Sequence, residues 1–287
     1  LDHVKLEIIF YHEGFIYKYN TVLKTNPNLG RNVNFTEQYI YQKKYYKSKV
    51  KDIYLDDGFN AITNLTELPQ DTSIVFFVLK KNVNRAIYFN SDGMGADTYR
   101  MMFRAIKTYK ISNEVLMKII KIFDDKIQNL EMLDEKRYKL IYQGLEKQLT
   151  DSELFYMLSS GTTKGILQYV FVVAALENGF DLLIDEVENH FHKTLVENMI
   201  SLFKDKTVNK KSATLIFTTH YCEVLDLFNR QDNIWIAKSK DKIQLDNMYE
   251  TYNIRPELLK SRQFYNNAFD TSVNYNDLMA LKKELMK

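Results

Sequence analysis

Two stretches between Lys5 and Thr21, alternating or rich in aromatic residues, flank His12-Glu13-Gly14, and the pattern predicts a β-hairpin. Residues 38–55 read as further strand, because Lys47, Lys49 and Lys51 alternate with Ser48 and Val50 before Ile53, Tyr54 and Leu55. Asn26-Pro27-Asn28 and Asp56-Asp57-Gly58 are turn signals, and residues 74–79 form a short apolar run. From Val115 the apolar positions Ile119, Ile122, Phe123, Ile127, Leu130 and Leu133 recur every three or four residues, which predicts one amphipathic helical face. Residues 138–143 and 153–157 have strand-like content. Beyond residue 158 the pattern alternates: helix 162–177, strand 181–185, helix 192–204, strand 213–218. Alternation of this kind predicts an α/β fold whose mostly parallel sheet is linked by crossover helices. No internal repeat or low-complexity linker marks a boundary, so divisions near residues 60 and 150 are soft.

Composition narrows the class. With 287 residues, one large fold or two lobes is expected. Lysine plus arginine (39) nearly cancels aspartate plus glutamate (37), so no strong net field draws the whole protein onto nucleic acid or membrane. The single cysteine, Cys222, excludes an internal disulfide framework and a cysteine-built zinc site, and fits a reducing, intracellular compartment. The longest apolar run, Ile166 to Leu176, falls short of the roughly 20 residues that a bilayer-spanning helix needs. No leader opens the chain, so a cytoplasmic location without membrane attachment is expected. The first residue is Leu1, which leads us to expect a start partway through a longer gene product.

Three stretches of the second half carry chemistry. Leu158-Ser159-Ser160-Gly161-Thr162 precedes a helix, where uncovered backbone N–H groups and the positive helix end suit a phosphate; an ordinary N-cap is the plainer reading. Asp181-Leu182-Leu183-Ile184-Asp185-Glu186 is a buried strand that ends in adjacent acids, and open α/β sheets place ligands at such ends. Asp185 suits Mg²⁺, and Glu186 sits where it would polarise an attacking water. Solvated acids at a strand end are the alternative. Ala213-Thr214-Leu215-Ile216-Phe217-Thr218-Thr219-His220 is a second buried strand, and its histidine suits a γ-phosphate or the attacking water.

Together, residues 158–262 resemble the C-terminal half of ABC-type ATPases. The resemblance is to the AAA-15/AAA-21 group, relatives of RecF, SMC and the overcoming-lysogenization-defect proteins, many of which act in bacterial anti-phage systems. LSSGT looks like the signature loop, LLIDEVENHFH like Walker B with catalytic glutamate and D-loop, and LIFTTH like the strand with the switch histidine. The likeness continues through Asp232-Asn233-Ile234-Trp235-Ile236 and Arg255-Pro256, and reaches weakly into residues 5–55. It implies an antiparallel β arm (1–60), a helical insertion (61–150), the C-terminal half of the ATPase (151–262) and a C-terminal helix (263–287). It implies ATP and Mg²⁺ as cofactors and a homodimer or higher oligomer that sandwiches ATP. In that arrangement Ser159, Ser160, Gly161 and Thr162 meet the partner's nucleotide, Asp185 serves Mg²⁺, Glu186 activates water and His220 senses the γ-phosphate.

The group also needs a P-loop, G-x-x-x-x-G-K-[ST]. Here none of the nine glycines is followed by lysine, and Gly93-Met94-Gly95 is no degenerate copy. We expect that segment upstream of Leu1 or on another chain; a pseudo-ATPase is the alternative, against which the intact Asp185-Glu186 pair argues. The functional expectation is an ATPase that controls an effector, a nuclease or toxin, in anti-phage defence. The alternatives are a non-hydrolysing scaffold for such an effector and a DNA-repair ATPase. Tyr41, Lys43, Lys44, Tyr45, Tyr46, Lys47, Lys49 and Lys51 read either as a nucleic-acid surface or as a lysine-guarded edge strand. His190 and His192 with Glu186 or Glu188 fit no common zinc spacing.

Overall fold

The structure is a computed structural model that describes residues 3–25, 33–62, 72–79, 86–90, 98–189, 191–239, 243–255, 257–271 and 275–286. It is mixed α/β and divides into two compact units, 1–84 and 85–287.

The first unit is a four-stranded antiparallel sheet, β1 (Val4–His12), β2 (Phe15–Thr25), β3 (Val33–Lys44) and β4 (Asn60–Ala61), in that spatial order. The expected hairpin turns at Glu13-Gly14, with φ of 45° and 86°, the positive pair that matches strand twist in a two-residue turn. Tyr17, Tyr19 and Ile40 pack on Ile74 and Leu79. The apolar run there forms a short helix, α1 (Ile74–Val78), capped by Ser73. Buried Gln38 accepts from the Tyr19 hydroxyl (2.6 Å) and the Ile74 N–H (2.9 Å), tying α1 to the sheet. The strand expected over 38–55 stops at Lys44, and Lys47–Asp52 is a 3-10 turn. Lys43 explains the reversal: its Nζ donates to the carbonyls of Asp52 (2.8 Å) and Leu55 (2.6 Å) and lies 4.3 Å from the Phe59 ring centroid. The Asn26-Pro27-Asn28 signal lies outside the described residues.

The second unit begins with β5 (Ala86–Asn90), α2 (Thr98–Tyr109) and α3 (Asn113–Phe123). The helical face read from Val115 to Leu133 ends at Phe123, because Asp124 is extended (φ −153°) and a strand, β6 (Ile127–Met132), follows. Ile127 and Leu130 are fully buried in the same core as α3, and a bulge between Ile127 and Asn129 gives the strand a three-residue burial spacing. That spacing mimics a helix. β6 pairs antiparallel with β7 (Arg137–Tyr142), which pairs with β8 (Leu145–Thr150). Residues 153–157 are helical, not extended: Thr150 and Glu153 form a reciprocal capping box that starts α4 (Asp151–Met157).

The remainder follows the expected alternation through α5 (Ser160–Asn178), β9 (Asp181–Asp185), α6 (Lys193–Lys204) and β10 (Thr214–Phe217). β9 is the centre of a parallel sheet ordered β10-β9-β5. Leu182 and Ile184 of β9 pack in one core with Ile166, Val170 and Ala174 of α5 and Val196, Met199 and Ile200 of α6. An antiparallel pair, β11 (Trp235–Ser239) and β12 (Ile243–Asn247), and the short helices α7 (Met248–Thr251), α8 (Lys260–Tyr265) and α9 (Tyr275–Leu285) complete the described chain. Among the described residues no helix is long and apolar enough to cross a membrane.

Candidate functional site

The parallel sheet brings three of the expected residues together. β9 and β10 run side by side in register, so the loops that follow Asp185 and Phe217 leave the sheet at the same end. Glu186 takes up a left-handed backbone, φ 49°, which turns the chain sharply off the strand. Such a conformation costs a non-glycine residue about 1–3 kcal/mol unless its surroundings hold it. The holding group is Thr218. The Glu186 N–H donates to Thr218 Oγ1 (2.7 Å), the Thr218 hydroxyl donates to Asp185 Oδ1 (2.6 Å), and the Val187 N–H donates to the Thr218 carbonyl (3.0 Å). The Thr218 N–H donates in turn to the Ile184 carbonyl (3.0 Å).

The Glu186 carboxylate, 47% exposed, lies 3.6 Å from Nε2 of His220, which is 84% exposed. Both groups can therefore reach a ligand from solvent. One loop beyond, Glu188 is buried and one of its oxygens accepts the His220 backbone N–H. Its other oxygen, Oε2, is buried with no hydrogen-bond partner. Asp185 and Glu186 offer an oxygen-only donor pair, which suits a hard cation such as Mg²⁺. Among the described residues no three His, Cys, Asp or Glu side chains are grouped to hold a metal by themselves.

Ser159, Ser160, Gly161 and Thr162 stand elsewhere. α5 starts at Ser160, two residues earlier than expected, with Ser159 as its N-cap: Ser159 Oγ accepts the Thr162 N–H (3.0 Å) and lies 2.9 Å from Thr162 Oγ1. The plainer N-cap reading is thus met in full, and an anion at this helix end would meet the exposed Ser160 and the N–H groups that capping leaves over. The helix start is braced from beneath. Thr163 Oγ1 donates to the Ser159 carbonyl (3.1 Å) and lies 2.8 Å from the hydroxyl of buried Tyr99. Tyr138 and Arg100 grip the two oxygens of Asp151 at 2.5 and 2.6 Å, locking the preceding helix α4 to β7 and α2.

Among the described residues no hydrogen bond or ion pair joins Ser159, Ser160, Gly161 or Thr162 to Asp185, Glu186 or His220.

Thr218 and Glu188 join the site through contacts between the two loops. The signal for Thr218 was its position one residue past a parallel strand, opposite Asp185; no sequence signal marked Glu188 as the acceptor of the His220 N–H. His192 caps α6, its Nδ1 accepting the Thr194 N–H at 3.3 Å, while His190 and Gly93-Met94-Gly95 lie outside the described residues. In the first unit Lys44 and Lys49 share a surface hollow with Asp52 and Asp57, so its charge is mixed. No family model and no curated protein matches this chain.

Proposed function

We propose that the end of the β9–β10 sheet hydrolyses ATP with Mg²⁺, as one head of an ABC-type ATPase fold. The supporting observation is the convergence of Asp185, Glu186 and His220 on one solvent-open sheet end, with Glu186 held in a left-handed backbone by Thr218. Asp185, with Oδ1 fixed by a hydroxyl, would hold Mg²⁺ through its second oxygen; the ion, when bound, neutralises phosphate charge. Glu186 would take the proton of the attacking water, and His220, 3.6 Å away, would donate to phosphate oxygen or hold that water in line. The resemblance adds an arrangement in which the Ser160 loop, which shares no hydrogen bond with the acids among the described residues, serves a second copy's nucleotide. No glycine here is followed by lysine, so the phosphate cradle must come from a P-loop segment supplied with this chain. Control of a nuclease or toxin in anti-phage defence is the biological role that the resemblance suggests for this activity.

The test is phosphate release by the native assembly that carries a P-loop, compared with its Asp185→Asn and Glu186→Gln forms. Both variants should abolish turnover, Asp185→Asn also weakening Mg²⁺ dependence. Unchanged turnover in either would overturn the assignment, and ATP binding without hydrolysis in the wild type would favour the non-hydrolysing scaffold. The chain by itself should bind ATP more weakly than micromolar in calorimetry.

A further inference from the structure

We infer that Thr218 and Glu188, which flank the reacting groups without being part of them, are the positioning residues of this site. The inference rests on the ATP-hydrolysis reading for its kinetic part and on geometry alone for its structural part. Thr218 makes four hydrogen bonds across the two strand ends, two through its backbone and two through its hydroxyl. The hydroxyl is used in both directions: it donates to Asp185 Oδ1 and accepts from the Glu186 N–H. A single oxygen thus orients the cation-binding carboxylate and holds the backbone of the next residue in the left-handed region that glutamate does not choose freely. Serine offers the same oxygen. Valine matches threonine in shape and lacks it.

Glu188 does for His220 what Thr218 does for the acids. Its carboxylate reaches from the loop after β9 to the backbone N–H of His220 in the loop after β10. The cost is visible in the other oxygen, buried without a partner, which folding alone would select against. The bond from the His220 N–H is what this carboxylate gains at that position. With the Thr218 hydroxyl on one side and Glu188 on the other, the two loops form one clamp, and Glu186 and His220 face each other because their backbones are fastened.

The test combines amide exchange on this chain with turnover of the native P-loop-bearing assembly. Thr218 is solvent-exposed, so Thr218→Val should fold. In Thr218→Val the Glu186 amide should exchange about three- to tenfold faster, the loss of one hydrogen bond, while Thr218→Ser stays at the wild-type rate. Turnover should follow the same order: Thr218→Val loses about 10²-fold in kcat with KM little changed, as for a misplaced catalytic group, and Thr218→Ser restores most of it. Glu188→Ala should speed exchange at the His220 amide and lower kcat, and Glu188→Gln, which keeps an acceptor oxygen, should restore both. Equal behaviour of the valine and serine variants, or undisturbed exchange at Glu186 and His220, overturns the clamp. Glu186→Gln is measured alongside: if it leaves turnover untouched, the hydrolysis reading fails, and the exchange rates still decide the clamp by themselves.

Discussion

Gly165 lies inside α5, five residues after the start of the helix whose N-terminus presents Ser159 and Ser160. A methyl group at this position would meet the Phe123 ring at 2.2 Å from Cε1 and 2.6 Å from Cδ1 and Cζ, distances at which something must move. The ring has little freedom to do so. It stands edge-on to Tyr169 at a centroid distance of 5.4 Å and packs on Phe191 at 6.0 Å, half-buried where α3 meets α5. Two opposing effects decide the sign of Gly165→Ala. Alanine is favoured over glycine inside a helix by about 0.8–1 kcal/mol. Forcing a methylene-sized group into a packed contact costs about 1–3 kcal/mol. The net expectation is destabilisation by up to about 2 kcal/mol, read as a lower urea midpoint at unchanged slope, or up to about 8 °C in Tm for a unit of this size.

A double-mutant cycle isolates the cause. With Phe123→Ala in place the obstructing ring is gone, and adding Gly165→Ala should then stabilise the protein by about 1 kcal/mol through helix propensity alone. The sign of one substitution reverses with the identity of one ring. The coupling energy should equal the steric penalty, about 1–3 kcal/mol, well outside the roughly 0.5 kcal/mol scatter of additive pairs. If Gly165→Ala stabilises the wild type, or the two substitutions add within that scatter, the close helix packing is not the reason for glycine at this position.

Gly179 ends α5 at φ 74°, and a methyl group there would come 2.8 Å from the Lys211 carbonyl; Gly179→Ala should cost about 1–3 kcal/mol in urea unfolding, and a neutral effect would contradict the cap geometry. Glu186→Gln in the P-loop-bearing assembly should keep ATP binding and lose about 10²–10⁴ in turnover, read by phosphate release and nucleotide affinity; full activity would place the base elsewhere. Burial pushes the Tyr169 phenol up to about 12, and burial raises Tyr99 further. Unfolded tyrosines ionise near 10, so this contribution is fully present below pH 10 and fades as pH rises towards 12, by about 1.4 kcal/mol per pH unit for each such group. Urea midpoints should therefore fall between pH 10 and 12, and Tyr169→Phe should flatten that fall; an unchanged slope would contradict the assignment.

What could be read along the chain depended on how local each determinant is. The β9, α6 and β10 spans were legible because short apolar strands alternate with an amphipathic helix, and the hairpin because Glu13-Gly14 supplies the turn within the segment it organises. Residues 127–133 were misread because the bulge that spaces Ile127 and Leu130 three apart is a property of pairing with β7, which no local period contains. The end of β3 likewise depends on Lys43 meeting two carbonyls nine and twelve residues later. In the site, Asp185, Glu186 and His220 stood out through residue type and place on a strand. Thr218 and Glu188 did not, because their roles lie in hydrogen bonds that join residues 32 or 33 apart.

The distribution of costs in the second unit argues for function at the loop after β9 more directly than any motif does. Among the described residues, non-glycine positive φ values occur at Lys110, Gln143, Glu186, Ser212, Asn267 and Asp270 in this unit. All six are exposed and lie in or beside turns and helix ends, where the chain reverses. Glu186 opens the turn that follows the central strand of the parallel sheet, and two residues on, Glu188 carries a buried oxygen with no hydrogen-bond partner among the described residues. Each feature opposes folding by about 1–3 kcal/mol. Both would vanish under simple substitutions, glycine at 186 and an apolar residue at 188. Two such costs within three residues, at the end of a parallel sheet, agree with the ligand site proposed there. The same residues hold the acid and the imidazole 3.6 Å apart and open to solvent, the arrangement on which the proposed hydrolysis rests.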